Sequence, residues 1–80
     1  MQPAIAKDAY IHPSADVHGD VVIGAGCWIG PGARISGDCG RVVIGDHTSV
    51  EADCVISAPQ DRETTIGNRV KIQHGALVYG

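Results

Sequence analysis

Aliphatic residues recur every six positions along most of this sequence. The spacing runs without a miss at first and resumes after two short interruptions, covering Ile5, Ile11, Val17, Ile23, Ile29, Ile35, Ile44, Val50, Ile56, Ile66, Ile72 and Val78. Small side chains often follow four positions later, and glycine with Asp, Asn or Pro follows several of these residues directly. A period of six is neither the period of a helix nor the alternation of a single strand. It indicates short strands joined by tight turns, with one β-branched residue facing inward per repeat.

Three such repeats form one triangular coil of about eighteen residues, as in hexapeptide β-helices. Counting in coils sorts the inward residues into three columns, one for each face: Ile5, Ile23, Ile44 and Ile66; Ile11, Ile29, Val50 and Ile72; and Val17, Ile35, Ile56 and Val78. Both interruptions, at residues 36–43 and 57–65, then fall at the same corner, after the third face. The period therefore predicts an all-β parallel β-helix of about four coils, forming one domain over residues 1–80. A β-sandwich is the alternative, but it would not require uninterrupted six-residue spacing.

Charge and composition argue against several classes of partner. The net charge is −3 and the six Lys and Arg residues are scattered, so binding to nucleic acid or to an anionic membrane is not expected. No apolar run is long enough to span a bilayer, and no signal peptide is visible at the N-terminus. The three cysteines lack CxxC spacing, which favours reduced thiols and a cytoplasmic location. A chain of 80 residues buries little core alone, so we expect a homo-oligomer.

Four stretches of the sequence resemble one enzyme family. They are YIHPSADV at 10–17, ISGD at 35–38 followed by VIGD at 43–46, CVIS at 54–57, and VKIQHGALVYG at 70–80. Together they resemble the γ-class carbonic anhydrases, which implies a left-handed β-helix that assembles as a homotrimer. The resemblance covers most of this chain but only about the first half of a usual family member, so we expect a truncated member.

The resemblance also implies where a zinc site would lie. Family enzymes hold zinc with three imidazoles across a subunit interface, and the metal lowers the pKa of a bound water. The positions that correspond to these ligands are Ser57, His74 and Tyr79, of which only His74 is a histidine. We therefore expect His74 to be the remnant of a metal site rather than part of a complete one.

Three further positions correspond to functional residues of the family. Ser36 stands where the family has an Arg, Asp38 is retained, and Glu51 replaces the usual Gln. Glu51 could add one carboxylate to His74, which would make only a weak zinc site. We therefore expect that the protein binds no cofactor, and zinc is the less favoured alternative. We assign a catalytic role to none of these residues.

The coil count places these residues relative to one another. One residue per coil directly follows the inward residue of the third face, which predicts an outward column of neighbours about 4.8 Å apart: His18, Ser36, Ser57 and Tyr79. His74 belongs to the second face, so it would reach this column only across a trimer interface. The favoured interpretation is a degenerate γ-carbonic-anhydrase-like protein, and of the two outcomes an inactive protein is favoured over an enzyme.

Two alternatives remain open at this point. One is a trimeric structural or assembly module. The other is a hexapeptide-repeat acyltransferase, in which His74 would act as general base beside a pantetheine groove.

The other histidines and the cysteines have simpler interpretations. The turn and outward positions of three histidines predict solvated side chains: His12, His18 and His47. Cys27 and Cys54 occupy small inward positions and are expected to be buried hydrophobic residues, whereas Cys39 falls in the first interruption and should be more exposed. Trp28 is expected to point outward from the second face.

Overall fold

The inward aliphatic residues stack in register from one coil to the next. In the computed structural model, which describes residues 3–79, parallel strands pair the members of each predicted column directly. The three columns and their order are therefore confirmed. Within the described residues the chain is all-β, and it forms a parallel β-solenoid of about four coils. The left-handed sense remains an expectation from the family resemblance.

Ten strands build the three faces over residues 3–79. They are β1 (Ala4–Ile5), β2 (Tyr10–Ile11), β3 (Asp16–Ile23), β4 (Trp28–Ile29), β5 (Arg34–Ile44), β6 (Ser49–Val50), β7 (Val55–Ser57), β8 (Glu63–Ile66), β9 (Lys71–Ile72) and β10 (Leu77–Tyr79). The second face is the sheet β2-β4-β6-β9. The third and first faces are joined into one sheet because β3 and β5 bend around the corner between them. Residues 3–79 contain no helix that is long and apolar enough to cross a membrane.

Burial is greatest in the two central coils. Ile29, Ile35 and Ile56 are fully buried, and Ile23 is 1% exposed, whereas its column neighbour Ile5 in the first coil is 43% exposed. An inward residue is covered from above and below only when a coil lies on each side of it. The central coils therefore contribute most of the hydrophobic stabilisation.

The two interruptions lie at the same corner, as predicted, but they differ in structure. The first is not a loop, because β5 continues through it as one bent strand of 11 residues. The second forms the loop 58–62 before β8 begins at Glu63. The backbones approach closely at this corner: Gly19 has a φ of 83°, and a Cβ there would lie 2.5 Å from the carbonyl carbon of Gly37. A side chain at Gly19 would therefore disrupt the corner.

Side chains in the turns connect successive coils. We number each corner by the face that it follows. At the first corner, Asp46 Oδ1 accepts a hydrogen bond from the Ala25 N–H at 2.9 Å, and Asn68 Oδ1 accepts one from the Asp46 N–H at 2.7 Å. Asp and Asn suit these positions because their short polar side chains satisfy turn backbone groups. These bonds explain why Asp and Asn follow the turn glycines in the sequence.

The small inward residues at the corners also donate hydrogen bonds. The donors and the carbonyls of the following coil are Cys27 to Gly45 at 2.9 Å, Thr48 to Gly67 at 2.7 Å, and Cys54 to Gln73 at 2.9 Å. Cys27 and Cys54 are buried, as predicted, but their thiols serve as weak donors as well as apolar filling. A small polarisable donor therefore satisfies carbonyls that face the interior.

Substitutions in β5 should show how much the column packing contributes to stability. We expect Ile44→Ala, at a side chain that is 1% exposed, to lower the free energy of unfolding by about 2–5 kcal/mol. The adjacent Val43 lies on the outer side of the same strand, and Val43→Ala should cost less than about 1 kcal/mol. Urea unfolding followed by circular dichroism measures both values. If Ile44→Ala is unfolded, Ile44→Val replaces it in the comparison, and it should lower the free energy of unfolding by about 0.5–1.5 kcal/mol. Equal losses at positions 43 and 44 would contradict the assignment of inner and outer positions.

Thiol chemistry should distinguish the three cysteines, all of which are free. Cys39 is exposed, whereas Cys27 and Cys54 are buried. We expect Ellman's reagent to modify a single thiol per chain rapidly in the native protein and all three in denaturant. Cys39→Ser should abolish the rapid phase, and a rapid phase that survives this substitution would show that the corners expose an inward thiol.

Candidate functional site

The outward column predicted on the third face is present. Strand pairing places His18 opposite Ser36, Ser36 opposite Ser57, and Ser57 opposite Tyr79. The first three residues are half-buried, whereas Tyr79 is 66% exposed. The parallel register therefore aligns one polar side chain per coil along this face.

His74 lies apart from that column, in the turn of the second corner between β9 and β10. Its side chain is exposed, and Nε2 is 3.9 Å from Asp53 Oδ2. Within residues 3–79 of a single chain, no three His, Cys, Asp or Glu side chains come together in a way that could hold a metal ion. His74 and its neighbour Asp53 thus provide at most two ligands from one chain.

Glu51 stands at the same corner but is paired with a different residue. Its Oε2 is 3.4 Å from Lys71 Nζ, which projects from the outer side of β9. The carboxylate is half-buried, so a lysine partner compensates part of its desolvation. Glu51 is therefore engaged in an ion pair rather than directed toward His74.

Asp38 has a histidine partner that the sequence did not reveal. His18 Nε2 lies 2.9 Å from Asp38 Oδ2, and His18 Nδ1 lies 3.0 Å from Asp16 Oδ1. The hydrogen bond to Asp16 is the largest cause that raises the pKa of His18 above its ordinary value; the charges of both carboxylates add to it, and desolvation opposes it. His18 points outward, as predicted, and 43% of its side chain is exposed; the contacts of its ring with two carboxylates were not predicted. Ser36 provides no charge next to Asp38, whereas His18 from the preceding coil provides one when its ring is protonated.

An open groove of about 530 Å³ lies at the third corner, beside Asp38. Its lining combines glycines with charged side chains, including Asp20 and Arg41, whose Oδ1 and Nε are 3.7 Å apart. Asp61, Arg62 and Glu63 of the following coil also line it. We name this feature the corner groove; its mixed charges suit small polar ligands better than apolar ones.

An aromatic pair lies on the outer side of the second face. Tyr10 and Trp28 are register partners, and their rings stack with centroids 6.4 Å apart at an interplanar angle of 17°. The ring of His12 meets Tyr10 edge-on at 6.5 Å. Trp28 points outward, as predicted, and the eighteen-residue coil length could have revealed the stack from the sequence.

Comparison with known proteins gives the same kind of repeat. The family described as bacterial transferase hexapeptide (six repeats) matches residues 3–37. The carnitine operon protein CaiE of Escherichia coli O157:H7 is 37% identical over 78 residues, and that of Escherichia fergusonii is equally similar. Each match covers 98% of this chain, which spans about 40% of the length of these curated relatives. The six-residue period, the stacked parallel coils and these similarities show that the chain belongs to the hexapeptide-repeat proteins.

Proposed function

We propose that this chain is a γ-carbonic-anhydrase-like hexapeptide-repeat protein whose zinc site is degenerate, and that it serves as a homotrimeric assembly module. The observation that carries the proposal is the register pairing of Ser57 with Tyr79 on the third face. These two residues stand where the family resemblance implies two imidazoles. This register supports a scaffold that is retained while its donor atoms are replaced.

The donor chemistry of these positions does not fit zinc. Protein zinc sites use imidazole, thiolate or carboxylate ligands, and neither a Ser hydroxyl nor a neutral phenol is an equivalent donor. Glu51 Oε2 lies 3.4 Å from Lys71 Nζ, so its carboxylate would have to leave this ion pair to reach His74. Without a complete set of zinc ligands, no metal-bound hydroxide would form for CO₂ hydration.

The outer surface of the last coil supports assembly. Leu77 and Tyr79 are 73% and 66% exposed on the third face, and the half-exposed Val55 adjoins Leu77 in register. Apolar side chains grouped in this way usually mark a contact with another protein surface. We propose that a second copy covers this patch, so that His74 of one protomer approaches the third face of its neighbour.

Transferase activity is the second candidate function, because the matching family is described as a bacterial transferase. His74 is exposed and would act as the general base that accepts a proton from an acyl acceptor. The relatives are named for a carnitine operon, so carnitine is a reasonable acceptor to test with acetyl-coenzyme A. Turnover that is lost in His74→Ala would favour this function over assembly alone.

We expect the wild-type chain to be a homotrimer at micromolar concentration, since a stack of four short coils buries little core by itself. Light scattering coupled to size-exclusion chromatography gives the mass. Leu77→Lys should shift the protein toward monomer by placing a charge in the apolar patch. Thr65→Lys, at an exposed position on the first face, is the matched control and should leave the trimer intact. A monomeric wild-type protein would contradict the assembly proposal.

Restoring the missing imidazoles should restore metal binding. We expect the wild-type protein to bind no zinc and to leave CO₂ hydration at the uncatalysed rate. The double variant Ser57→His with Tyr79→His should bind zinc and gain a higher Tm, because a ligand that binds only the folded state stabilises it. Either single substitution should do much less, since it leaves the metal short of a ligand.

Elemental analysis and calorimetry measure the zinc content, and stopped-flow hydration measures the activity. Adding His74→Ala to the double variant should abolish zinc binding. A double variant that trimerises yet binds no zinc would show that Ser57, His74 and Tyr79 do not converge. Zinc-dependent hydration by the wild-type protein would show that the site is not degenerate.

A further inference from the structure

The ring of His18 is held from both sides by carboxylates of different coils. Asp16 belongs to the same strand, β3, whereas Asp38 lies in β5 of the following coil. The two ring nitrogens point away from each other, so they cannot bind a common ion. Both can donate hydrogen bonds to carboxylates only when the ring carries two protons. The arrangement leaves no free nitrogen for a general base and instead favours the imidazolium form.

The segment that His18 contacts is the irregular part of the solenoid. In the pairing of β3 with β5, Gly19 is opposite Gly37 and Val21 is opposite Val42, so Asp20 alone faces residues 38–41. This segment forms one wall of the corner groove. Regular strand pairing is interrupted here, and side chains therefore take a larger part in holding the segment against the preceding coil.

We propose that Asp16, His18 and Asp38 form a pH-sensitive clamp, which fixes residues 38–41 against the first coil and loosens when His18 loses a proton. The clamp thereby controls the wall of the corner groove. Toward the following coil the same segment is held by backbone hydrogen bonds, from the Arg41 N–H to Arg62 O at 3.0 Å and from the Asp61 N–H to Cys39 O at 3.2 Å. These backbone hydrogen bonds do not change when His18 loses a proton. Only the contact between residues 38–41 and the first coil therefore depends on the protonation of His18.

The surrounding charges are consistent with one titrating group. From β3, Asp16 faces the ring directly, and Asp20 is engaged by Arg41. From β5, Asp38 faces the ring, and Arg34 stands opposite Asp16 in the register. The strand on the other side of β3, β1, contributes only Ala4 and Ile5 to the pairing.

The direction of the pH effect follows from the pKa. The folded state raises the pKa of His18 above its ordinary value, chiefly through the hydrogen bond to Asp16. The stabilisation is therefore fully present below the pKa of the unfolded chain, about 6.5, and is lost as the pH rises through the higher pKa of the folded state. The clamp should be closed in mildly acidic solution and open in alkaline solution.

Nuclear magnetic resonance on the full chain tests this directly. The His18 ring signal, assigned by its loss in His18→Gln, should titrate above the ordinary value for histidine, and Asp38→Asn and Asp16→Asn should each lower its midpoint. Amide exchange at residues 38–40 should be about two- to fivefold slower in the wild type than in His18→Gln at pH 5.5, the factor expected for exposed ion pairs. The ratio should approach one by pH 8.5, and comparison at equal pH cancels the intrinsic pH dependence of exchange.

His12→Gln is the matched control, because His12 is a neighbouring histidine whose ring nitrogen bonds to Ser14 rather than to a carboxylate. It should leave exchange at residues 38–40 unchanged. A His18 midpoint that is insensitive to Asp38→Asn would overturn the proposal. Equal exchange in the wild type and His18→Gln at pH 5.5 would also overturn it. If His18→Gln is unfolded, Asp38→Asn, which keeps the ring, supplies the same comparison of exchange rates.

Discussion

Each coil of this protein is held in place by the coil before it and the coil after it. Backbone hydrogen bonds run from one coil to the next, as from the Gly24 N–H to Ile44 O at 2.9 Å and from the Gly45 N–H to Ile66 O at 2.8 Å. The same register stacks inward aliphatic side chains, so the ladder and the core enforce each other. A change in coil length must not displace the columns, and both insertions occur at the third corner, where the columns on either side stay in register.

The outward residues are free of this constraint, and the proposed loss of the zinc site follows from that freedom. Ser57 and Tyr79 lie on the outer side of the third face, while their neighbours Ile56 and Val78 pack inward. Replacing an outward imidazole by a hydroxyl or a phenol therefore leaves the column packing intact. Such a protein can keep its scaffold and its assembly surface after its metal chemistry has gone. This separation of fold from site is general, since the same scaffold can carry different chemistry.

The third corner differs from the other two because the number of residues in it varies between coils. One residue of the first coil faces four of the second, which opens a groove and brings charged side chains together. There the contact between His18 and Asp38 joins two coils through side chains. A corner of this kind can respond to pH without disturbing the columns, because its charged groups lie on the surface whereas the aliphatic core does not titrate.

The sequence alone determined the regular part of the protein. The six-residue period predicted all three columns, the shared corner of the insertions and the outward alignment of Ser36, Ser57 and Tyr79, because parallel pairing repeats one geometry in every coil. Only the tertiary structure showed that β5 runs through the first insertion, that His18 is held by two carboxylates, and that Glu51 is paired with Lys71. These features depend on the backbone path at a non-repeating corner and on the rotamers of exposed side chains. Neither property is encoded by a period, so they emerge only when the coils are packed together.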